Sequence, residues 1–279
     1  MKCEILEYML TGHRTISMAN TRAFSFSDDS TNVKLSLVSH ASPSSTEPPQ
    51  TSKIGVPSSE PSLLLFQLRK LLSGWYQSLL YSNPSALVEP WLSRCEALVN
   101  MQEWCSHLPI SLPLQHLFRS EILYSSILLI WPQGSLASVC PYGRALVFQY
   151  AIDYADTTWK MLTFSNATFC TSLDILRAFF VGQRLLGTVQ KDSPIFHRAP
   201  PQLPPIRHDM VQPPSLIERD PAASIENAIQ SIQLLSQILR LLGQKFGYST
   251  AHSKFESESV SVLEILFDRR NTQAAPTTE

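Results

Sequence analysis

The chain has 279 residues, of which 44% are hydrophobic and 16% are charged. This length can bury a sizeable core, and a charged fraction below the roughly 25% of ordinary soluble domains favours apolar helices joined by polar, uncharged loops. The 22 basic and 23 acidic residues leave a formal charge of −1, and Lys and Arg occur at most in adjacent pairs. Direct nucleic-acid binding, which depends on clustered cations, is therefore not expected.

The first part of the chain, residues 1–36, has apolar positions that follow no sustained period, apart from a short strand-like segment at 33–38. Residues 37–61 are rich in Ser, Pro and Thr, and they are predicted to form a flexible linker. Three charges in the first seven residues are unlike a signal peptide, and the apolar run 122–131 is too short to span a bilayer. We therefore expect a soluble intracellular protein that does not associate with membranes.

Helical periodicity begins at residue 62. A first amphipathic helix of about five turns places Leu68 and Leu72 on its apolar face and stops at Asn83-Pro84. A second helix is predicted over about 85–105. The third, over 114–131, is apolar on nearly every face in its second half, so neighbouring helices must bury it.

Two long helical segments follow, at roughly 136–162 and 168–189. We expect local breaks in both, because proline and glycine weaken helix interiors and the segments contain Pro141, Gly143, Gly182 and Gly187. Residues 190–221 carry eight prolines and are predicted to form an extended or disordered proline-rich loop.

The last two predicted helices have the clearest sequence signals. One begins with Asp220 as N-cap and Pro221 in its first turn, and Gly243 is predicted to take the left-handed position that ends it. Its apolar row is Ile225, Ile229, Ile232, Leu235, Ile238, Leu239 and Leu242. The other runs from about 251 to 267 and precedes a disordered tail at 269–279. The predicted fold is all-α, an irregular multi-helix array over residues 62–268.

Few residues form a pattern suited to catalysis. The chain lacks a G-x-S-x-G elbow, a Walker A loop and a G-x-G-x-x-G fingerprint. Among all-α enzymes, isoprenoid synthases bind diphosphate through magnesium and aspartate-rich helices. Asp153 and Asp156 place two carboxylates on one helix face, although a D-D-x-x-D motif is missing. A solvated helix face is the preferred interpretation of this pair.

Cys105, His107 and His116 are the residues from which a metal site could be drawn, but their spacing matches no metal motif. The five cysteines contain no C-x-x-C pair, so we interpret them as reduced, mostly buried thiols. The tryptophans are predicted to pack on interior helix faces, with a small-molecule pocket between them as the alternative; they are Trp75, Trp91, Trp104, Trp131 and Trp159. No catalytic, metal or cofactor-binding residue is assigned.

Residues 14–35 contain short motifs in a fixed order, namely Arg14, Ile16-Ser17, Arg22, Phe24, Phe26-Ser27-Asp28 and Val33-x-Leu35. This series resembles a segment of the fungal-specific transcription factor domain, the middle homology region of fungal zinc-binuclear-cluster regulators. The family usually has Leu, Gly, Pro and Pro where this chain has Asn20, Thr21, Ala23 and Ser36.

Later stretches are similar to the same family in the same order, so the resemblance covers roughly residues 10–268. They are the leucine-rich helix from Leu63 and residues 91–109, 118–133, 176–186, 231–240 and 255–266. In the family the stretch corresponding to 118–133 ends in Arg-Pro, and here Trp131 replaces the Arg. The family's basic six-cysteine DNA-binding module has no counterpart in this sequence.

The resemblance implies a truncated transcription regulator that lacks its own DNA-binding module, because the first helices of the family domain would also precede Met1. We expect it to act in the nucleus through protein–protein contacts, to pair with another regulator or a second copy of itself, and to control a secondary-metabolite gene cluster. A small-molecule effector is a further expected partner. The alternatives are an enzyme of the isoprenoid-synthase type and a non-functional remnant of a former transcription factor.

Overall fold

The computed structural model describes Leu68, Leu72 and residues 90–106, 112–131, 139–164, 170–191, 201, 212–217 and 220–274. Of this part of the chain 89% is helical, with six helices and no strand, which confirms the all-α prediction. The helices are α1 (Pro90–Ser106), α2 (Leu112–Ile130), α3 (Pro141–Phe164), α4 (Leu173–Lys191), α5 (Pro221–Phe246) and α6 (Ser249–Ala274).

The chain divides into two units, Met1–Ser73 and Gly74–Glu279. In the first unit the described residues are Leu68 and Leu72, which are helical and buried as their periodicity predicts. The predicted segments 1–36 and 37–61, with the motifs of residues 14–35, lie outside the described residues. The second unit contains all six helices.

Two antiparallel helix pairs form much of the second unit. In the α2/α3 pair, Arg119 lies 4.0 Å from Asp153, and the ring of His116 stacks on that of Phe164. Helices α5 and α6 are joined by a two-residue turn. Helix α4 contacts α3, α5 and α6 and, through larger side chains, α2. Every residue of α2 from Ser120 onward is buried, as its all-round apolar pattern predicts.

The breaks predicted at the glycines are wrong, because α3 and α4 are continuous across Gly143, Gly182 and Gly187. The segment predicted from residue 136 is helical only from Pro141 among the described residues, as its proline indicated. Pro141 is the first residue of α3, where its missing N–H removes no helical hydrogen bond. The glycines serve close packing: a Cβ on Gly182 would lie 2.5 Å from the Phe255 ring, and one on Gly187 would lie 3.1 Å from Trp131. Tertiary packing therefore outweighs the low helix propensity of glycine here.

Helix α5 follows its sequence signals at one end and departs from them at the other. Asp220 is its N-cap with Pro221 next, and the predicted apolar row is buried. The helix continues past Gly243, however, and the left-handed residue is Gly247, with φ 76°. The Tyr248 amide donates to the Gly243 carbonyl across this turn, at 2.9 Å. Gly247 rather than Gly243 therefore ends the helix.

Helix α6 extends to Ala274, so the tail predicted to be disordered from residue 269 is helical over its first six residues. Arg270 holds this end of the helix: it lies 3.6 Å from Glu226 of α5, and its guanidinium lies over the Phe267 ring. Among the described residues, no helix is both long enough and apolar enough to cross a membrane.

Candidate functional site

The two aspartates considered for a magnesium site lie on α3 and are held in ion pairs. Asp153 is 4.0 Å from Arg119, and Asp156 accepts a 2.7 Å hydrogen bond from Lys160. Asp156, Lys160 and Arg119 are exposed to solvent. The structure thus places the two carboxylates on an outer helix face beside basic side chains.

The three residues from which a metal site could be drawn are not brought together by any described contact. His116 is half-buried and stacks on Phe164, with ring centroids 6.0 Å apart. His107 and the side chain of Cys105 lie outside the described residues. No group of three metal-ligating side chains occurs in the part of the chain that the structure describes.

Three of the five tryptophans have described side chains. Trp131 is buried, at 5% exposure, while Trp91 and Trp159 are half-buried. Trp75 and the side chain of Trp104 lie outside the described residues. Trp91 and Trp131 both contact glycine-containing helix faces, at Gly143 and Gly187, and so they serve helix packing.

The most concentrated polar chemistry lies in an arginine cluster formed by Glu121, Asp174 and Arg177. The Arg177 guanidinium donates to Glu121 at 2.5 Å and to Asp174 at 2.8 Å. All three residues are buried, with exposures of 5% for Glu121, 8% for Asp174 and 6% for Arg177. The second oxygen of Asp174 accepts hydrogen bonds from the amide and hydroxyl of Thr171, at 2.6 and 3.1 Å. The cluster therefore joins α2 to the first turns of α4.

The electrostatics of the cluster favour its charged form. Burial alone would lower the pKa of Arg177, but Glu121 and Asp174 outweigh this and hold it above its ordinary value. Tyr154 of α3 lies close by, and burial, followed by the Asp174 carboxylate, raises the pKa of its hydroxyl. Because two buried carboxylates face one guanidinium, loss of Arg177 would leave both without a balancing charge, and the cluster depends above all on this residue.

An aromatic ladder continues from the cluster along α2 and α4. The Tyr124 ring lies 5.4 Å from the Arg177 guanidinium and meets Phe180 edge to face, with centroids 5.7 Å apart. The Arg184 guanidinium lies 4.6 Å from both the Phe180 and the Trp131 rings. Burial lowers the pKa of Arg184 to about 10. Cation–aromatic contacts of this kind stabilise a partly desolvated arginine.

Sequence reasoning did not identify the arginine cluster. Its signal was the presence of charges inside otherwise apolar segments, since Asp174 and Arg177 interrupt the run 172–189 and Glu121 precedes the apolar half of α2. Periodicity predicts that such positions are buried or exposed, but it does not identify a partner 56 residues away. The Glu121–Arg177 bond joins two helices, and Asp174 holds Arg177 in place from the same helix, so the cluster fixes the fold.

A second polar feature, the α3 ledge, is formed by Tyr142 and Gln149 on one face of that helix. The Tyr142 hydroxyl donates to the Pro214 carbonyl at 2.8 Å, and the Gln149 side-chain oxygen accepts from the Ile217 amide at 2.9 Å. Residues 212–217, the end of the predicted proline-rich loop, are neither helix nor strand. The α3 ledge therefore holds a non-helical stretch of chain by its backbone.

Trp91 of α1 borders the α3 ledge. Its ring meets that of Tyr142 edge to face, with centroids 6.4 Å apart, and a Cβ on Gly143 would lie 2.8 Å from it. The indole N–H is shielded from solvent and has no hydrogen-bond partner among the described residues. The aromatic pair gives the ledge a rigid wall at its Tyr142 end.

The described cysteines are free, as predicted. Cys95 and Cys170 are buried, and burial raises the pKa of each thiol to about 12. Cys140 is half-buried at the start of α3, where its sulfur accepts a 3.3 Å hydrogen bond from the Gly143 amide. Burial keeps Cys95 and Cys170 in the unreactive thiol form near neutral pH.

Comparisons with protein-family models, curated proteins and solved structures found no match for this chain.

Proposed function

We propose that this chain is a transcription regulator of the fungal-specific transcription factor type, without its own DNA-binding module, that acts in the nucleus through protein–protein contacts. Its partner is another regulator or a second copy of the chain, and a small-molecule effector modulates the contact. A secondary-metabolite gene cluster is the proposed target.

The proposal rests on the positions, in the structure, of the segments that resemble the family. Residues 176–186, 231–240 and 255–266 lie wholly within α4, α5 and α6, and most of 91–109 and 118–133 lies within α1 and α2. A regulatory domain of this type needs these segments to be helices in this order. Their helical placement supports the resemblance, which was drawn from side-chain patterns alone.

The use of the polar groups supports a scaffold role. Arg177 binds Glu121 of a second helix and Asp174 of its own, and Asp156 is paired with Lys160 within α3, so these charges are used in structural contacts. On the α3 ledge, by contrast, a helix face binds a non-helical stretch of polypeptide by its backbone. That contact is of the kind by which regulatory domains recognise other proteins.

The proposal is tested by deleting the gene and measuring all transcripts, with localisation of a fluorescent fusion. We expect nuclear fluorescence and a changed set of transcripts, restored by the wild-type gene and also by a gene carrying Asp153→Asn and Asp156→Asn. Under the enzyme alternative that double variant would fail to restore them. Unchanged transcripts would favour the remnant alternative.

A second experiment tests whether the chain binds DNA. The purified chain should give no sequence-selective shift of DNA at about physiological salt, because it has no clustered cations to neutralise phosphates. Tight, sequence-selective binding by the chain alone would contradict the proposal.

A further inference from the structure

The two hydrogen bonds on the α3 ledge hold a peptide that runs in the same direction as the helix. Tyr142 and Gln149 are seven residues apart on α3, a distance of about 10.5 Å along the helix axis. Their partners, the Pro214 carbonyl and the Ile217 amide, follow each other in the same order along the chain. The ledge therefore anchors a short, non-helical segment at two points about two helical turns apart.

The ledge recognises backbone atoms rather than side chains. Tyr142 supplies an O–H to the Pro214 carbonyl, and the Leu216 backbone also interacts with the same hydroxyl. Gln149 supplies an acceptor to the Ile217 N–H. A peptide therefore needs a free carbonyl and, three residues later, a free amide, a requirement that excludes proline at the second anchor.

The bound segment lies at the surface. Pro213 is buried and Pro214 and Leu216 are half-buried, whereas Gln212 and Ser215 are exposed and Ile217 is 56% exposed. One proline of the segment is thus shielded from solvent, while the outer side of the segment faces solvent. A segment held by two hydrogen bonds and one buried proline can be exchanged for another of the same kind.

We propose that the α3 ledge is a binding site for an extended, proline-containing peptide of a partner protein, and that residues 212–217 occupy it in cis as an internal ligand. The partner segment has two adjacent prolines followed by a residue with a free amide three positions after the anchoring carbonyl. Proline-rich segments suit such a site because their extended form is already populated before binding, which lowers the ordering cost.

The internal segment sets the concentration that a partner peptide needs in order to bind the ledge. Because it is tethered close to α5, its effective concentration at the ledge is of the order of millimolar. A partner peptide must therefore be tethered or abundant to displace it. This inference rests on the proposed function only in taking the partner to be a protein, and it is tested on the purified chain without reference to transcripts.

The experiment measures binding of a fluorescent peptide with the sequence of residues 211–219 by anisotropy. In the open chain, residues 212–217 of the full chain are replaced by Gly-Ser-Gly-Ser-Gly-Ser, which keeps the backbone groups but loses the buried Pro213 and the proline preference for an extended form. The replaced segment competes less well for the ledge, so the open chain should bind the peptide at least tenfold more tightly than the unaltered chain. Adding Tyr142→Phe or Gln149→Ala to the open chain should weaken binding about 2- to 13-fold each, the effect of losing one hydrogen bond. A peptide with both prolines replaced by glycine should bind more weakly than the original.

The matched controls are Tyr248→Phe and Gln237→Ala, two exposed positions outside the ledge, which should leave binding unchanged. If the open chain does not fold, hydrogen exchange of the unaltered chain tests the same proposal. Millimolar unlabelled peptide should displace residues 212–217 from the ledge and so speed exchange of the Ile217 amide. No binding by a folded open chain, equal binding by the Tyr142→Phe variant, or unchanged Ile217 exchange in the unaltered chain would overturn the proposal.

Discussion

Arg177 of α4 and Glu121 of α2 are joined by a 2.5 Å hydrogen bond, although 56 residues separate them in the sequence. Both are almost fully buried, at 6% and 5% exposure. The same guanidinium also binds Asp174, so one cation is shared by two carboxylates. The energetic consequence is asymmetric, because losing the cation leaves two buried carboxylates without the positive charge that balances them.

Arg177→Met should destabilise the fold by about 3–5 kcal/mol, the usual cost of breaking a buried ion pair from one side. Combining Arg177→Met with Glu121→Gln should cost less than the sum of the two single changes, since the second removes one of the stranded charges. Urea unfolding followed by circular dichroism measures both effects.

The matched control for this prediction is Arg240→Met, since Arg240 is exposed on α5. Its effect should lie within about 0.5 kcal/mol of wild type, as for most surface changes. If Arg177→Met proved equally mild, the arginine cluster would not be a structural tie between α2 and α4.

Gly182→Ala is expected to destabilise the protein despite the higher helix propensity of alanine. The new Cβ would lie 2.5 Å from the Phe255 ring, which is fully buried against α4. Overpacking of this kind costs about 1–3 kcal/mol, against a propensity gain of about 1 kcal/mol. Thermal unfolding should show a lower Tm for the variant.

A double variant separates overpacking from other causes. Phe255→Leu removes the ring edge that the new methyl group would meet, so adding Gly182→Ala to Phe255→Leu should cost less than adding it to wild type. Equal costs in the two backgrounds would show that contact with Phe255 is not the reason for glycine at this position.

Gly182 also shows what the sequence can and cannot predict. The apolar row of α5 indicated a helix correctly, because burial of one face produces a period that is visible locally. A glycine inside such a row has two opposite interpretations, a break or a close approach, and the choice depends on a helix more than 70 residues further along the chain. The predicted breaks in α3 and α4 were wrong for this reason.

The end of α5 was misplaced for a more local reason. Gly243 and Gly247 lie one turn apart and both suit a helix terminus in sequence. In the structure the Tyr248 carbonyl lies 2.8 Å from where a Gly243 Cβ would be, so both glycines are needed in one turn. The first permits the chain to fold back closely, and the second takes the left-handed conformation.

The candidate sites were harder to predict from the sequence than the helices were. Asp153 and Asp156 stood out because their spacing is a local feature, and the structure places them in surface ion pairs. The α3 ledge depends on contacts 68 and 72 residues apart in the chain. Single-sequence reasoning finds residues of suitable type, but long-range partners require the fold.

Replacing Asp153 and Asp156 with Asn should leave the stability of the fold within about 1 kcal/mol of wild type. Their ion pairs with Arg119 and Lys160 involve exposed basic side chains, and exposed pairs contribute little. Magnesium should not shift the Tm of either protein. A magnesium-dependent rise in wild-type Tm that the double variant loses would instead support the isoprenoid-synthase alternative.

Alkaline pH should destabilise the fold through Cys95 and Cys170. Burial raises the pKa of each from 9.0 to about 12, so the unfolded chain loses these protons at a lower pH than the folded one. The stability they support is fully present below pH 9 and falls as pH rises toward 12. Between pH 8 and pH 10 each thiol should cost about 1.4 kcal/mol.

Cys95→Ala and Cys170→Ala test this by comparison with wild type, since contributions of all other titrating groups cancel in the difference. Each variant should lose about 1.4 kcal/mol less than wild type between pH 8 and pH 10, and the double variant about twice that, in urea unfolding under reducing conditions. Any cavity left by the missing sulfur changes the free energy of unfolding equally at pH 8 and pH 10. It therefore cancels when the loss between the two pH values is compared. An identical pH dependence in wild type and Cys95→Ala would mean that the Cys95 thiol ionises as readily in the folded protein as in the unfolded chain, and so would contradict its burial between α1 and its neighbours.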